Sequence, residues 1–318
     1  MNQPSVKLAI LIATKDRSNE LRNLLESISQ STLLPDKIVI VYSGEDISFL
    51  SPEFQSKLNI EIIKSPIASQ SFQKSLGIRS LKSNYTWTLF MDDDLIVEKN
   101  SLEILSSEYL NNPNYQSYVG FGLKVLNISA RKLNLLEKIF LKMFKLHSDK
   151  PGTITKSGHV QSYLLNTTEV EVSWLNGLSV WNSKVLYEYP SEQTTIPYSA
   201  YEDVIFSYRV SRHGKLLFAP KVKMQTQKFE VTDILTTQRF IYGGYIRYQF
   251  VSTNYEFSKW WLLISQIIRN LDFIVRSTHE SNMLRRVIVS TNLWMRLLFF
   301  TLRGVNGTNI WNYINHKS

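Results

Sequence analysis

The residue types with the most chemistry to offer in this chain are carboxylates, and they fall in two groups. Asp92-Asp93-Asp94 closes the apolar run Tyr85 to Met91. Alternate side chains of an extended segment point the same way, so Asp92 and Asp94 can act from one side. Hard oxygen ligands of this kind suit Mg2+ or Mn2+ bridging a diphosphate, whereas an isolated acidic tripeptide is more often a solvated turn or a helix cap. Glu202-Asp203 opens a helix-like stretch. There a carboxylate either complements the helix dipole or, in a partly desolvated cleft, takes a proton from an attacking hydroxyl. One such base is enough for single displacement with inversion; two carboxylates flanking a sugar would instead point to hydrolysis.

These groups need a framework, and the hydrophobic periodicity supplies one. Val6 to Ala13 is a β-rich run, followed by Leu21, Leu24, Leu25 and Ile28 at helical spacing. Lys37 to Tyr42, Asn59 to Ile63 and Tyr85 to Met91 read as further strands, with a helix over Ser71 to Ser83. Strands alternating with helices make a mostly parallel sheet, whose ligands bind beyond the strands' carboxyl ends. That edge is where the aspartate triplet falls. A helix over Ser101 to Leu110 and a strand over Tyr118 to Leu123 come next, then extended patterning from Val170 to Trp181 and a helix from Tyr201 to Arg212. Beyond Pro220 the pattern reads as helical.

Composition removes several chemistries. The 318 residues contain no cysteine, which excludes a disulfide framework, thiolate metal sites and a cysteine nucleophile. Charged residues make up 20% and aromatics 12%, with no biased tract, so the chain reads as folded throughout. No GxxxxGK[ST] is present, and Gly243-Gly244 lacks the strand-then-helix setting of a dinucleotide site. His147, His159, His213, His279 and His316 have no metal-ligand spacing.

The net charge of +9 is concentrated late: from Ile205 onward there are 16 Lys/Arg against 5 Asp/Glu. Arg131 to Leu146 combines Leu135, Leu136, Ile139, Phe140, Met143 and Phe144 with lysines, and the segments Ser258 to Arg276 and Asn282 to Arg303 join Trp, Phe and Leu to arginines. Such faces suit an anionic bilayer surface and equally suit packing on a core or a second subunit. Neither late segment has the roughly 18 uninterrupted apolar residues of a span. Tyr242, Tyr245, Tyr248 and Arg247 offer stacking groups, yet the arrangement reads as core plus solvated face, and no nucleic-acid motif is present. The polar start, Met1 to Val6, has no signal-peptide pattern, so the expected location is cytoplasmic, peripheral to the inner face of the membrane.

Four segments in order, Ala13 to Arg17 (ATKDR), Phe90 to Asp94 (FMDDD), Trp174 to Trp181 (WLNGLSVW) and Tyr201 to Arg209 (YEDVIFSYR), resemble the motifs of family 2 glycosyltransferases. The resemblance covers roughly residues 6 to 225 and implies a GT-A fold, an αβα sandwich, with a helical C-terminal region from 226 to 318 and an amphipathic insertion about 127 to 160. It implies a nucleotide-sugar donor and a glycan or lipid-linked acceptor, with Mg2+ or Mn2+ as cofactor. Thr14, Arg17, Ser43, Asp92 and Asp93 would then lie near the nucleotide sugar, Asp94 and Asp92 would hold the metal, and Asn176 and Gly177 would line the acceptor side. Asp203 would be the base, supported by Glu202.

Two positions depart from the family pattern. An aspartate common after the second strand is replaced by Tyr42-Ser43-Gly44, followed by Glu45 and Asp46, and a common metal-binding histidine by the run after Pro220, where Gln225 or Gln227 offers an amide oxygen. Two other readings stand beside the transferase: a non-catalytic GT-A shell that binds membrane or polymer, and a sugar nucleotidyltransferase.

Overall fold

The computed structural model describes residues 6–47, 50, 52–81, 84–128, 133–189, 201–227, 237–276 and 282–305. The strands are β1 (Leu8–Lys15), β2 (Lys37–Ser43), β3 (Ile60–Lys64), β4 (Trp87–Asp92), β5 (Leu95–Val97), β6 (Tyr118–Leu126), β7 (Val170–Val172), β8 (Ser179–Asn182) and β9 (Lys215–Thr226). The helices are α1 (Ser18–Ser29), α2 (Pro52–Lys57), α3 (Gln70–Leu81), α4 (Ser101–Ile104), α5 (Leu135–Met143), α6 (Ser183–Glu188), α7 (Glu202–Val210), α8 (Thr237–Thr253), α9 (Lys259–Arg276) and α10 (Met283–Leu302). By contacts the chain divides into two compact units, one of Met1–Ala130, Tyr163–Pro197 and Glu202–Val231, the other of Arg131–Ser162, Tyr198–Tyr201 and Thr232–Ser318.

The first unit is a mixed α/β layer structure around one sheet, ordered β3-β2-β1-β4-β8-β6-β9-β5 with β7 on β9. β3, β2, β1 and β4 are mutually parallel, as βαβ crossovers require. Beyond them β8 enters antiparallel to both β4 and β6. β1, β2 and β4 are apolar on both faces, with Ile10, Ile12, Ile38, Ile40 and Leu89 enclosed on one side and Ala9, Leu11, Val39 and Val41 on the other, whereas the edge strand β3 is only partly covered. Leu21, Leu24, Leu25 and Ile28, the apolar stripe of α1, are each 0% exposed. Burying each such side chain contributes about 1.5–3 kcal/mol.

The seating of α3 depends on polar contacts as much as on apolar ones. Its buried face carries Ser71, Gln73 and Ser75 besides Ile78 and Leu81, so hydrophobicity alone does not hold it in place. Gly77 lets it approach β1: a Cβ there would stand 2.1 Å from Leu11 Cδ1. The Gln73 amide then donates to Thr14 O at 2.8 Å and Val41 O at 2.9 Å, tying α3 to the carboxyl ends of β1 and β2.

The structure corrects the reading beyond Pro220. β9 continues to Thr226, and the pairing with β6 jumps from Leu123↔Ala219 to Lys124↔Lys223. Pro220 therefore falls in the bulged stretch, where no ladder bond from its nitrogen is needed. Over Ser101 to Leu110 the helix changes character, α4 giving way to a π-helical turn at Leu105–Leu110.

In the second unit, α5 is capped by a reciprocal pair, Asn134 Oδ1 accepting from Glu137 N at 2.8 Å and Glu137 Oε2 accepting from Asn134 N at 2.9 Å. Its Leu135, Leu136 and Met143 are exposed; Arg131, which opens the segment in the sequence reading, lies outside the described residues. α8, α9 and α10 pack together, with Phe240 stacked on Phe273 at 4.1 Å and the Trp294 indole donating to Leu263 O at 3.0 Å. Among the described residues no helix is long and apolar enough to cross a membrane.

Candidate active site

The carboxyl ends of β1, β2 and β4 converge on the aspartate triplet. Asp93 turns inward, 4% exposed. Its Oδ2 accepts from Thr14 Oγ1 at 2.6 Å and its Oδ1 from Arg17 Nη1 at 2.8 Å. Burial raises its carboxyl above the ordinary range, against the opposing pull of those two donors. Arg17 reaches on to Asp94 Oδ2 at 3.4 Å. Thr14 near the end of β1 and Arg17 of the β1–α1 connection thus brace the triplet from the neighbouring strand, a parallel pairing in which Ala13 stands opposite Asp92.

Asp92 is also pushed up by burial and by Asp94, while Lys74 and a hydrogen bond from the Gln70 amide at 3.1 Å hold it down. Gly177 lies beside it, close enough that a Cβ would stand 3.2 Å from Asp92 Oδ2. Asn176 is fixed by Tyr163, whose hydroxyl donates to Asn176 Oδ1 at 2.9 Å and accepts from Asn176 N at 2.8 Å.

Glu202 and Asp203 begin α7 and line one cleft with Lys74, Phe90, Asn176 and Gly177. Lys74 Nζ lies 3.3 Å from Glu202 Oε1, both side chains largely enclosed. Burial opposes the lysine's charge, but Glu202, Asp92 and Asp203 around it raise its pKa. Asp203 is pushed up to about 6 by burial, with Glu202 and Asp92 adding to the rise and Lys74 opposing it. The cleft therefore holds a carboxyl that changes charge near neutral pH beside a fixed cation.

Other expected residues lie elsewhere. Ser43 ends β2, buried, its hydroxyl without a hydrogen-bond partner. The loop after it is tied to the β1–α1 connection by Asp16 Oδ1, which accepts from Glu45 N at 2.8 Å. Gln227 sits next to the triplet, its backbone N donating to Asp94 O at 2.8 Å. Its amide is engaged: Oε1 accepts from Asn23 at 3.0 Å and Nε2 donates to Glu20 O at 3.0 Å and Leu95 O at 3.2 Å. Gln225 bonds to Glu98 on the other side of β5. His213 stacks on Tyr189 at 4.2 Å, away from the cleft.

Residues 9–165 match the family model described as glycosyl transferase family 2. These residues form a family 2 glycosyltransferase domain. No curated protein matches the sequence. Among solved structures, S. aureus TarS 1-349 in complex with UDP-GlcNAc is similar at TM-score 0.58 and 11% identity, over 92% of this chain and 81% of that one. The mannosyltransferase PcManGT from Pyrobaculum calidifontis, in complex with GDP-Man and Mn2+, is similar at TM-score 0.51 and 9% identity, over 94% and 88%. GalNAc-T7 with UDP, GalNAc and Mn2+ is similar at 0.52 and 13%, over 71% of this chain and 44% of that one. These likenesses carry the fold, GT-A, and the family 2 domain makes the chain a glycosyltransferase.

Within this family 2 domain, the residue that the sequence reading missed is Lys74, together with its neighbours Gln70 and Gln73. The available signal was faint: α3 is a helix whose buried face is half polar, which costs stability unless those groups have partners.

Proposed function

We propose that this glycosyltransferase moves a sugar from a nucleotide-sugar donor to an acceptor hydroxyl by a single displacement with inversion, with Asp203 as base. The observation that carries the reading is the raised carboxyl of Asp203, about 6, in one cleft with Lys74, Glu202, Asn176 and Gly177. In the displacement the acceptor oxygen forms a bond to the anomeric carbon as its proton passes to Asp203. The bond from that carbon to the diphosphate oxygen breaks, and its electron pair leaves with the diphosphate. A base with a pKa near the working pH is ionised enough to accept that proton yet strong enough to want it. Glu202 and Lys74 fix the position of Asp203 by holding the first turn of α7 against α3.

A divalent cation fits the donor chemistry. Mg2+ is held by one or two carboxylates with substrate phosphates completing its shell, so a protein cage is not required. Among the described residues no group of three or more His, Cys, Asp or Glu encloses an ion, whereas Asp92 and Asp94 supply two carboxylates at one strand end. When bound there, the ion would offset the charge that develops on the leaving diphosphate. Thr14, Arg17 and Asp93 set the direction of those carboxylates, and Ser43 is read as lying near the nucleotide, its hydroxyl enclosed at the end of β2.

The acceptor is read as a glycan or lipid-linked glycan, and the protein as peripheral to an anionic membrane surface. Leu135, Leu136 and Met143 on α5, Trp260 and Leu271 on α9, and Met283 and Leu302 on α10 are all more than half exposed. Lys138, Lys142, Arg285 and Arg286 lie on the same helices. Donor transfer assayed by mass spectrometry with UDP-, GDP- and dTDP-sugars tests the reaction; turnover that survives Asp203→Asn would overturn the assignment of the base.

A further inference from the structure

Among the described residues of the second unit, two guanidiniums and an imidazole with enclosed polar atoms lie close enough to influence one another, and the acid that bears on them is Asp272, on the same helix as Arg269. Arg247 on α8 is 5% exposed, and its Nε and Nη1 are enclosed with no hydrogen-bond partner. Arg269 on α9 has an enclosed Nε, also without a partner. His159 stands in the turn just after the buried hydroxyls of Thr155 and Ser157. Arg247 runs against that turn: a Cβ on Gly158, the residue before His159, would stand 3.2 Å from Arg247 Cγ. Burial holds His159 well below the ordinary imidazole range, and both Arg247 and Arg269 push it further. Arg269 is brought down to about 9, first by burial and then by Arg247, with Tyr201 and Asp272 opposing. The contact that favours the Arg247 charge is the face of Tyr201, 5.9 Å from the guanidinium carbon.

Arginine does not shed its proton to relieve such a situation. A desolvated guanidinium with free N–H groups is costly, and folded proteins meet that cost with a protein acceptor, an ordered water or a bound anion. The donor set narrows the class. Two guanidiniums offer planar forks of N–H donors and two positive charges, which a carboxylate would half neutralise and a phosphoryl dianion would match. We propose that Arg247, Arg269 and His159 form a binding site for a phosphoryl group, separate from the sugar-transfer cleft. The group belongs either to a soluble phosphate ester or to a phosphorylated lipid headgroup. This assignment stands on the second unit alone and does not depend on the catalytic reading.

The probe is inorganic phosphate, titrated into the full chain by calorimetry and by thermal unfolding, in EDTA so that no metal recruits it elsewhere, and against sodium chloride at matched ionic strength. Phosphate, but not chloride, raises the melting temperature of the wild type by roughly 3 °C or more near saturation. Arg247→Gln and Arg269→Gln each weaken phosphate binding at least about tenfold, as loss of a charge-assisted hydrogen bond does. The phosphate-free melting temperature of each variant is equal to or above that of the wild type, because an uncompensated charge has been removed. Should one variant fail to fold, the other carries the comparison. Vesicles of phosphatidic acid, compared with phosphatidylcholine, separate the two sources: retention that requires Arg247 assigns the headgroup, and phosphate binding without retention assigns a soluble ester. No phosphate-dependent rise in the wild type, or an undiminished rise in both variants, would overturn the site.

Discussion

Lys74 and Glu202 are 128 positions apart in the chain, yet their side chains meet at 3.3 Å and close one wall of the cleft. The lysine faces three carboxylates, Glu202, Asp92 and Asp203, and is the cation that makes their shared burial tolerable. Lys74→Met should therefore destabilise the fold by about 3 kcal/mol in urea unfolding, the cost of stranding a buried partner. In any fraction that folds, Asp203 should titrate higher than in the wild type. Lys74→Arg should restore most of the stability; if Lys74→Met is as stable as the wild type, the ion pair has no structural role.

For Asp203 the pH dependence has a definite sign. As the proposed base it must be ionised, so turnover should fall as pH drops through about 6. Asp203→Asn should lower kcat by roughly 10²–10⁴ while donor affinity, measured by calorimetry, stays near that of the wild type.

The same group makes a separate statement about stability. Its folded pKa is raised, so its contribution is fully present below the ordinary carboxylate value and is lost as pH rises through about 6. At pH 7.5 Asp203→Asn should thus be more stable than the wild type, by up to about 3 kcal/mol, and equal to it near pH 4. Denaturant midpoints at the two pH values check this, and a variant less stable at pH 7.5 would contradict it.

Asp94→Ala should abolish transfer, and EDTA should do the same to the wild type, with activity restored by excess Mg2+ or Mn2+. Full turnover in metal-free buffer would remove the cation from the reaction.

Co-sedimentation with phosphatidylglycerol vesicles should be strong at low salt and weak at high salt, and absent with neutral vesicles, if α5, α9 and α10 meet a bilayer through their basic and apolar faces. Equal absence from both pellets would leave those faces to a protein partner.

The parallel half of the sheet was legible because both faces are covered: Leu8 to Ile12 and Ile38 to Val41 are continuous apolar runs, and α1 shows its stripe at Leu21, Leu24, Leu25 and Ile28. The stretch just beyond Pro220 was read as helical, whereas it continues β9, because the bulge that lets the ladder resume past a proline is set by the pairing with β6 and not by local pattern. The triplet and the Glu202-Asp203 pair were visible as motifs. Lys74 was not, since nothing near it in the sequence says that α7 will return to it; its partner is defined by topology alone. The α5 face was read correctly as apolar with lysines, but its exposure depends on what α5 packs against, and no periodicity encodes that.

The inward turn of Asp93 changes how mutational scans of the triplet should be interpreted. Both of its oxygens are taken up by Thr14 and Arg17, so its replacement releases a strap between two strands. Thr14→Val removes half of that strap without touching an acid, at a cost of about 1–3 kcal/mol for the buried acceptor left unpaired. Inactive alanine variants at all three aspartates would look like three equivalent ligands. Only the middle one should have its defect reproduced from a different strand, and that phenocopy would distinguish an architectural carboxylate from its two neighbours.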